Sequence, residues 1–214
     1  MKAFEYKMDI EDSFNENRYD DFENKDFESV KLSELIKLCD SYCFYFTLTE
    51  QTVFLYNGLQ YKKLMERLEP YLVTSFLTKE WYSYFTSDEN KLKISVYYLN
   101  EQTKDILLNM FYDMFMKPKL GFNNPNESLP EDLCFFRKDK SLFFGSVSHE
   151  SIARFYVTEA ELESCAQEHL KNFLMRQFLL IVGKNYVYGI TMMLLFQINK
   201  IKGNAISNFS LYKM

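Results

Sequence analysis

Two hydrophobic periods alternate along this chain, and each change of period marks a new element. Val30, Leu32, Leu35, Ile36 and Leu38 recur at helical spacing, and the run from Tyr42 to Leu48 behind them is rich in the aromatic and β-branched residues that fit a pleated sheet. Between Asn57 and Tyr71, Leu64, Met65 and Leu68 share one helix face, Lys62, Lys63, Glu66, Arg67 and Glu69 take the other, and Pro70 ends or kinks the run. After the turn residues Asp88, Glu89 and Asn90, Leu92, Ile94, Val96 and Tyr98 alternate with Lys93, Ser95 and Tyr97, which predicts a strand. From Glu101 to Met116 the spacing returns to three and four through Ile106, Leu107, Met110, Phe111, Met114 and Phe115, which predicts a helix closed by Pro118 and Gly121.

Beyond the loop residues Asn123 to Ser128, two apolar runs, 133–136 and 142–147, flank the charged turn Arg137-Lys138-Asp139-Lys140 and read as a hairpin. A third strand follows over 152–157. Thr158 and Glu161 then stand at the spacing of a capping box that opens a helix. Helices and antiparallel strands are interspersed rather than strictly alternating as βαβ units, so the expected class is α+β, a mainly antiparallel sheet with helices packed on one face.

Charge divides the chain further. Residues 9–28 carry nine acidic side chains interleaved with Phe14, Tyr19, Phe22 and Phe27 in no clean period, so residues 1–28 read as a loosely ordered acidic arm ahead of an α+β domain over 29–170. From Lys171 to Met214 there is no Asp or Glu, but there are six basic residues, which sets 171–214 apart. Within it, residues 178–196 form an apolar run long enough to cross a bilayer, interrupted by Lys184 and Asn185, and a central lysine costs about 2.5–3.5 kcal/mol on insertion. Two readings stand: buried segments folded on the domain, or contact with a membrane.

The net charge of −5 argues against a protein that lives on nucleic-acid phosphates. Four cysteines are too few for a disulfide scaffold, and the first residues lack the apolar stretch of a secretory signal, so a cytoplasmic protein with reduced thiols is expected. No GxGxxG, P-loop, HExxH or EF-hand pattern occurs, and no cofactor is expected. Metal-ligand arithmetic offers only Cys39 with Cys43 and Cys165 with His169, pairs four apart that lack knuckle spacing and suit buried thiols equally well, so no metal is expected. Ser148, His149 and Glu150 bring hydrolase-type groups together, but adjacent residues are the wrong arrangement for a triad, and a polar turn accounts for them too. Trp81, among Tyr82, Tyr84 and Phe85, either anchors a partner or belongs to the core.

The segment Leu129-Pro130-Glu131-Asp132-Leu133-Cys134-Phe135-Phe136-Arg137, with Ser146-Val147-Ser148-His149-Glu150 after the turn, resembles a group of small bacterial α+β proteins, some of them encoded near polymorphic toxin systems. The likeness covers about residues 33–165, and the acid-free tail has no counterpart in it. Together with the acidic body and the lack of catalytic motifs, it points to a non-enzymatic module that binds another protein through acidic and aromatic surface, as immunity or inhibitor proteins do, and it carries over no catalytic residues. Partner contacts are then expected from Trp81 and from Glu131, Asp132, His149 and Glu150, the last four at one end of the hairpin. The alternative is an enzyme using Glu131, Asp132, His149 and Glu150 as acid and base groups.

Overall fold

A computed structural model of the chain describes residues 2–7, 30–82, 84–119, 127–163 and 179–181. Eight strands form one sheet: β1 (Lys2–Lys7), β2 (Cys43–Gln51), β3 (Leu72–Thr78), β6 (Leu92–Tyr98), β7 (Glu131–Arg137), β8 (Leu142–Val147), β9 (Ile152–Val157) and β10 (Leu179–Ile181). They lie in the order β10-β1-β9-β8-β7-β2-β6-β3, and every pairing is antiparallel. With helices α1 (Leu32–Asp40), α2 (Leu59–Leu68), α3 (Glu101–Met110) and α4 (Glu159–Glu163), this is an α+β fold. A small hairpin of β4 (Glu80–Trp81) and β5 (Tyr84–Phe85) stands apart from the main sheet.

Successive residues of a strand point to opposite faces, and here both faces are apolar. Phe46, Leu48, Leu133, Phe135, Phe144 and Phe155 join one buried cluster, to which α1 gives Leu32, Leu35, Ile36 and Cys39, α2 gives Leu64 and Leu68, and α3 gives Ile106, Leu107 and Met110. The intervening residues Tyr45, Ile94, Val96, Cys134, Phe136, Val147 and Tyr156 form a second cluster with Trp81 and Tyr82. The hairpin residues thus close the second face. Trp81 meets Phe76 edge-on with centroids 5.8 Å apart, and the Tyr82 ring lies so close to β8 that a Cβ on Gly145 would sit 2.5 Å from it.

Several local features follow the sequence closely. Asn100 Oδ1 accepts from the Thr103 N–H at 3.0 Å and Thr103 Oγ1 accepts from the Asn100 N–H at 2.9 Å, a reciprocal cap on α3. Thr158 and Glu161 cap α4 in the same way. Three features differ. The helix expected to reach Met116 ends at Met110, because Phe111 turns extended and the Asp113 carboxylate takes the N–H groups of Phe115 and Lys117. Phe111 and Met114 stay in the first cluster all the same, which preserves the apolar spacing without the helix. Lys2–Lys7, read as part of the acidic arm, pair with β9 and β10. Residues 72–78 add a strand that the hydrophobic periods did not mark, β3 at the sheet edge. Of the apolar run 178–196 only Leu179–Ile181 fall among the described residues, where they form β10, and no helix among the described residues is long and apolar enough to cross a membrane.

Arg137 ties the far end of β7 to α4. Its Nε and Nη2 donate to Glu161 Oε1 and Oε2, each at 2.7 Å, and Nη2 and Nη1 also reach the carbonyls of Tyr156 and Leu142. Burial pushes the Glu161 carboxyl up, but its bonds from Arg137 and the Thr158 N–H outweigh this and hold it below the ordinary range. A carboxyl lowered in the folded state adds stability that is complete above its unfolded pKa of about 4.3 and is lost as the pH falls through the folded value. Glu161→Gln is therefore expected to cost about 2 kcal/mol at neutral pH, with the difference shrinking below about pH 4. Denaturant midpoints across that range check this, and a gap that grew on acidification would refute it. Gly145→Ala is expected to cost about 2 kcal/mol by forcing Tyr82 off the sheet, with loss of near-ultraviolet dichroism from the hairpin aromatics.

Candidate functional site

The candidate groups meet where the hairpin opens. In a β-hairpin the start of the first strand lies beside the end of the second, so Glu131 and Asp132 of β7 come next to the single 3-10 turn Ser148–Glu150 that follows β8. Two hydrogen bonds lock the junction: the Asp132 N–H donates to Ser148 Oγ at 3.0 Å, and the Ser148 N–H donates to Asp132 Oδ1 at 2.7 Å. The turn ends at Ser151, whose φ of 53° is left-handed.

Asp132 also has a left-handed backbone, with φ at 56°, a conformation that Asp and Asn tolerate better than other non-glycine residues. The register explains why it is needed. Thr47 pairs with Cys134 and Thr49 with Glu131, so β7 spends three steps where β2 spends two. The extra residue is a β-bulge. Without it, Glu131 and Cys134, three apart, would face opposite sides of the sheet. With it, both face the side that carries Thr47 and Thr49.

The outcome is a compact polar group in which Glu131, Asp132 and His149 each place a potential ligand atom within 4.8 Å of the others. Asp132 is fully buried, Glu131 half-buried and His149 exposed. Burial pushes the Glu131 carboxyl up and the Asp132 charge adds to this, partly offset by a 2.8 Å hydrogen bond from Gln51 Nε2 and by His149. Across the ladder from Glu131, Thr49 is fully buried, and its Oγ1 has no hydrogen-bond partner. Glu150 is exposed on the same turn as His149.

Next to this group the chain leaves β2 in a loop that sequence reasoning did not single out. The Gln51 N–H donates to Tyr56 Oη at 3.0 Å, and the Tyr56 ring lies 5.2 Å from that of Tyr61. Tyr61 is fixed in turn by Glu50, which accepts from its hydroxyl at 2.8 Å and pairs with Lys93, and by Glu127, which accepts from its N–H at 2.8 Å. Gly58 has no room for a Cβ, which would overlap the Glu127 side chain. Burial and the neighbouring carboxylates push the Tyr56 and Tyr61 hydroxyls up, so both stay neutral donors and acceptors. The anchored loop nevertheless shows apolar side chains to solvent: Val53 is 57% exposed, Phe54 49%, Leu55 74% and, at the start of α2, Leu59 63%. The signal was four large apolar residues near a turn glycine in a stretch without period.

The remaining candidates lie elsewhere. Trp81 does not face solvent: its ring is fully buried between Phe76 and Phe136, because a large aromatic is what the second sheet face needs to be closed. Cys39 and Cys43 are buried in the first cluster, where loss of solvent pushes the Cys39 thiol well up, and Cys165 and His169 lie outside the described residues. Compared with known proteins, the chain matches no protein-family model, no curated protein and no solved structure.

The bulge depends on the Asp132 side chain as well as on its backbone. Asp132→Ala, which leaves the Ser148 N–H without its acceptor and puts a residue averse to left-handed φ at this position, is expected to cost about 3 kcal/mol. Asp132→Asn keeps the acceptor and the backbone preference and should cost under about 1 kcal/mol. Equal losses for the two in urea unfolding would show that the side chain does not set the bulge.

Proposed function

We propose that this chain is a protein-binding module of the immunity or inhibitor kind, and that its recognition face is the end of the sheet carrying the β2–α2 loop. The observation that carries this reading is the exposure of Val53, Phe54, Leu55 and Leu59 on a loop held in place by Tyr56, Tyr61 and Glu127. Contiguous apolar side chains on an anchored loop are costly to leave in water and mark contact surfaces. Beside them Glu131, His149 and Glu150 form a polar border, and with the net charge of −5 they favour a partner whose apolar patch is ringed by basic groups. In this reading Asp132 shapes the border without touching the partner, and Trp81 supports the fold.

A second reading, acid–base catalysis, draws on the proximity of Glu131, Asp132 and His149. In that reading Ser148, whose Oγ accepts from the Asp132 N–H, orients the turn that carries His149.

Affinity capture with the full chain as bait separates the readings. Wild-type protein is expected to retain a stoichiometric partner that high salt weakens, and Leu55→Asp is expected to lose at least about tenfold of that affinity with its melting temperature unchanged. Equal retention by the two proteins, or no partner at all, would sink the proposal.

A further inference from the structure

The polar group at the hairpin mouth has a donor set that a recognition border does not need. Consecutive residues Glu131 and Asp132 converge with an imidazole, and one of the two carboxylates is fully out of solvent. Two acidic groups side by side, one of them buried, form an unfavourable pairing unless a cation sits with them. Lysine and arginine fill that role elsewhere in the molecule, at Lys93 with Glu50, Lys104 with Asp40 and Arg137 with Glu161. At the hairpin mouth the basic member is a histidine, whose neutral form is a metal ligand.

An independent observation comes from the strand opposite. Thr49 is fully buried and cross-strand from Glu131, and its hydroxyl has no hydrogen-bond partner. Directly paired residues project from the same face of a sheet, so this hydroxyl belongs to the side on which Glu131 stands. A buried hydroxyl without a partner is costly to leave unsatisfied, and a metal ion or its bound water would satisfy it.

We propose that Glu131, Asp132 and His149 form a binding site for a divalent first-row transition ion, with Thr49 Oγ1 beside it. The donor set of two carboxylate oxygens and one imidazole nitrogen suits Zn²⁺ or Mn²⁺ better than Mg²⁺ or Ca²⁺, which prefer oxygen alone. Three protein ligands also leave a coordination position open. The ligand atoms already lie within 4.8 Å of one another, and His149 stands on an exposed turn; an ion would draw them to the roughly 3 Å spacing of a coordination shell. The site is distinct from the cysteine and histidine pairs that sequence spacing offered, and it does not rest on the protein-binding reading.

The chain's two histidines make the test clean. Full-length protein treated with chelator and titrated with ZnCl₂ in a calorimeter is expected to bind one ion per chain with Kd below about 10 μM. His149→Ala and Glu131→Gln should each weaken binding by at least about tenfold. His169→Ala and Leu55→Asp should leave it unchanged, the latter separating this site from the recognition loop. The metal-free melting temperature of His149→Ala should match wild type, because the ring is exposed, and that of Glu131→Gln should be no lower, because it removes one of two adjoining acidic charges. Mn²⁺ broadening of the His149 ring signals provides a second readout. The proposal is overturned if no saturable site appears, if binding survives His149→Ala, if it disappears with His169→Ala, or if Mg²⁺ binds as tightly as Zn²⁺.

Discussion

Burial of the central strands on both faces is the constraint from which the rest of this structure follows. β2, β7 and β8 are covered along almost their whole length, so each alternate side chain needs an apolar partner. α1, α2 and α3 supply partners for one set. The other set is met by the short hairpin from Glu80 to Phe85, through Trp81 and Tyr82. A cover only a few residues wide has to be dense in aromatic mass and closely fitted, which accounts for Trp81 between two phenylalanines and for the glycine under the Tyr82 ring.

Two-sided burial also decides what the sequence could disclose. β2, β6, β7, β8 and β9 were legible because long apolar or alternating runs have few other uses, and α1 and α2 because their stripes are narrow. The helix predicted to Met116 was overextended because spacing records which residues are buried and not how the backbone brings them there. Phe111 and Met114 reach the first cluster from an irregular segment shaped by the Asp113 carboxylate. β3 escaped notice because only Thr74 of its residues is buried, so its apolar residues follow no clean alternation, although Val73, Thr74 and Phe76 after Pro70 are residues that strands favour. β1 escaped because its charged residues continue into an acidic stretch.

The candidate site was legible in part, for a geometric reason. A hairpin recognised from its two apolar runs and its charged turn necessarily brings the residues before the first strand next to those after the second, so Glu131 and Asp132 had to approach His149. Their facing was not legible. A period of two fixes sides only while the register is unbroken, and the left-handed backbone at Asp132 inserts one residue that turns Glu131 to the side of Thr49. Nothing in the run Leu129 to Arg137 announces a bulge apart from an aspartate, a residue tolerant of that conformation. The exposed loop at Val53 to Leu59 was overlooked for the opposite reason: apolar residues outside any period resemble core residues until burial is known.

Polarity on the second face is graded along the strands, and the gradient runs toward the hairpin mouth. At its interior end Thr47 and Trp81 have no well-aligned hydrogen bond, yet both lie beside the Cys134 sulfur, a soft acceptor that tolerates poor geometry. Burial and the nearby Asp132 charge push that thiol up, so it stays protonated and serves packing rather than chemistry. Two residues along β2, Thr49 has no hydrogen-bond partner and stands opposite a carboxylate. A valine there would have matched the shape and the β-propensity without a hydroxyl to satisfy. Local rules for a sheet core are broken here consecutively and at one end, and the proposed recognition face and metal site both rest on these departures.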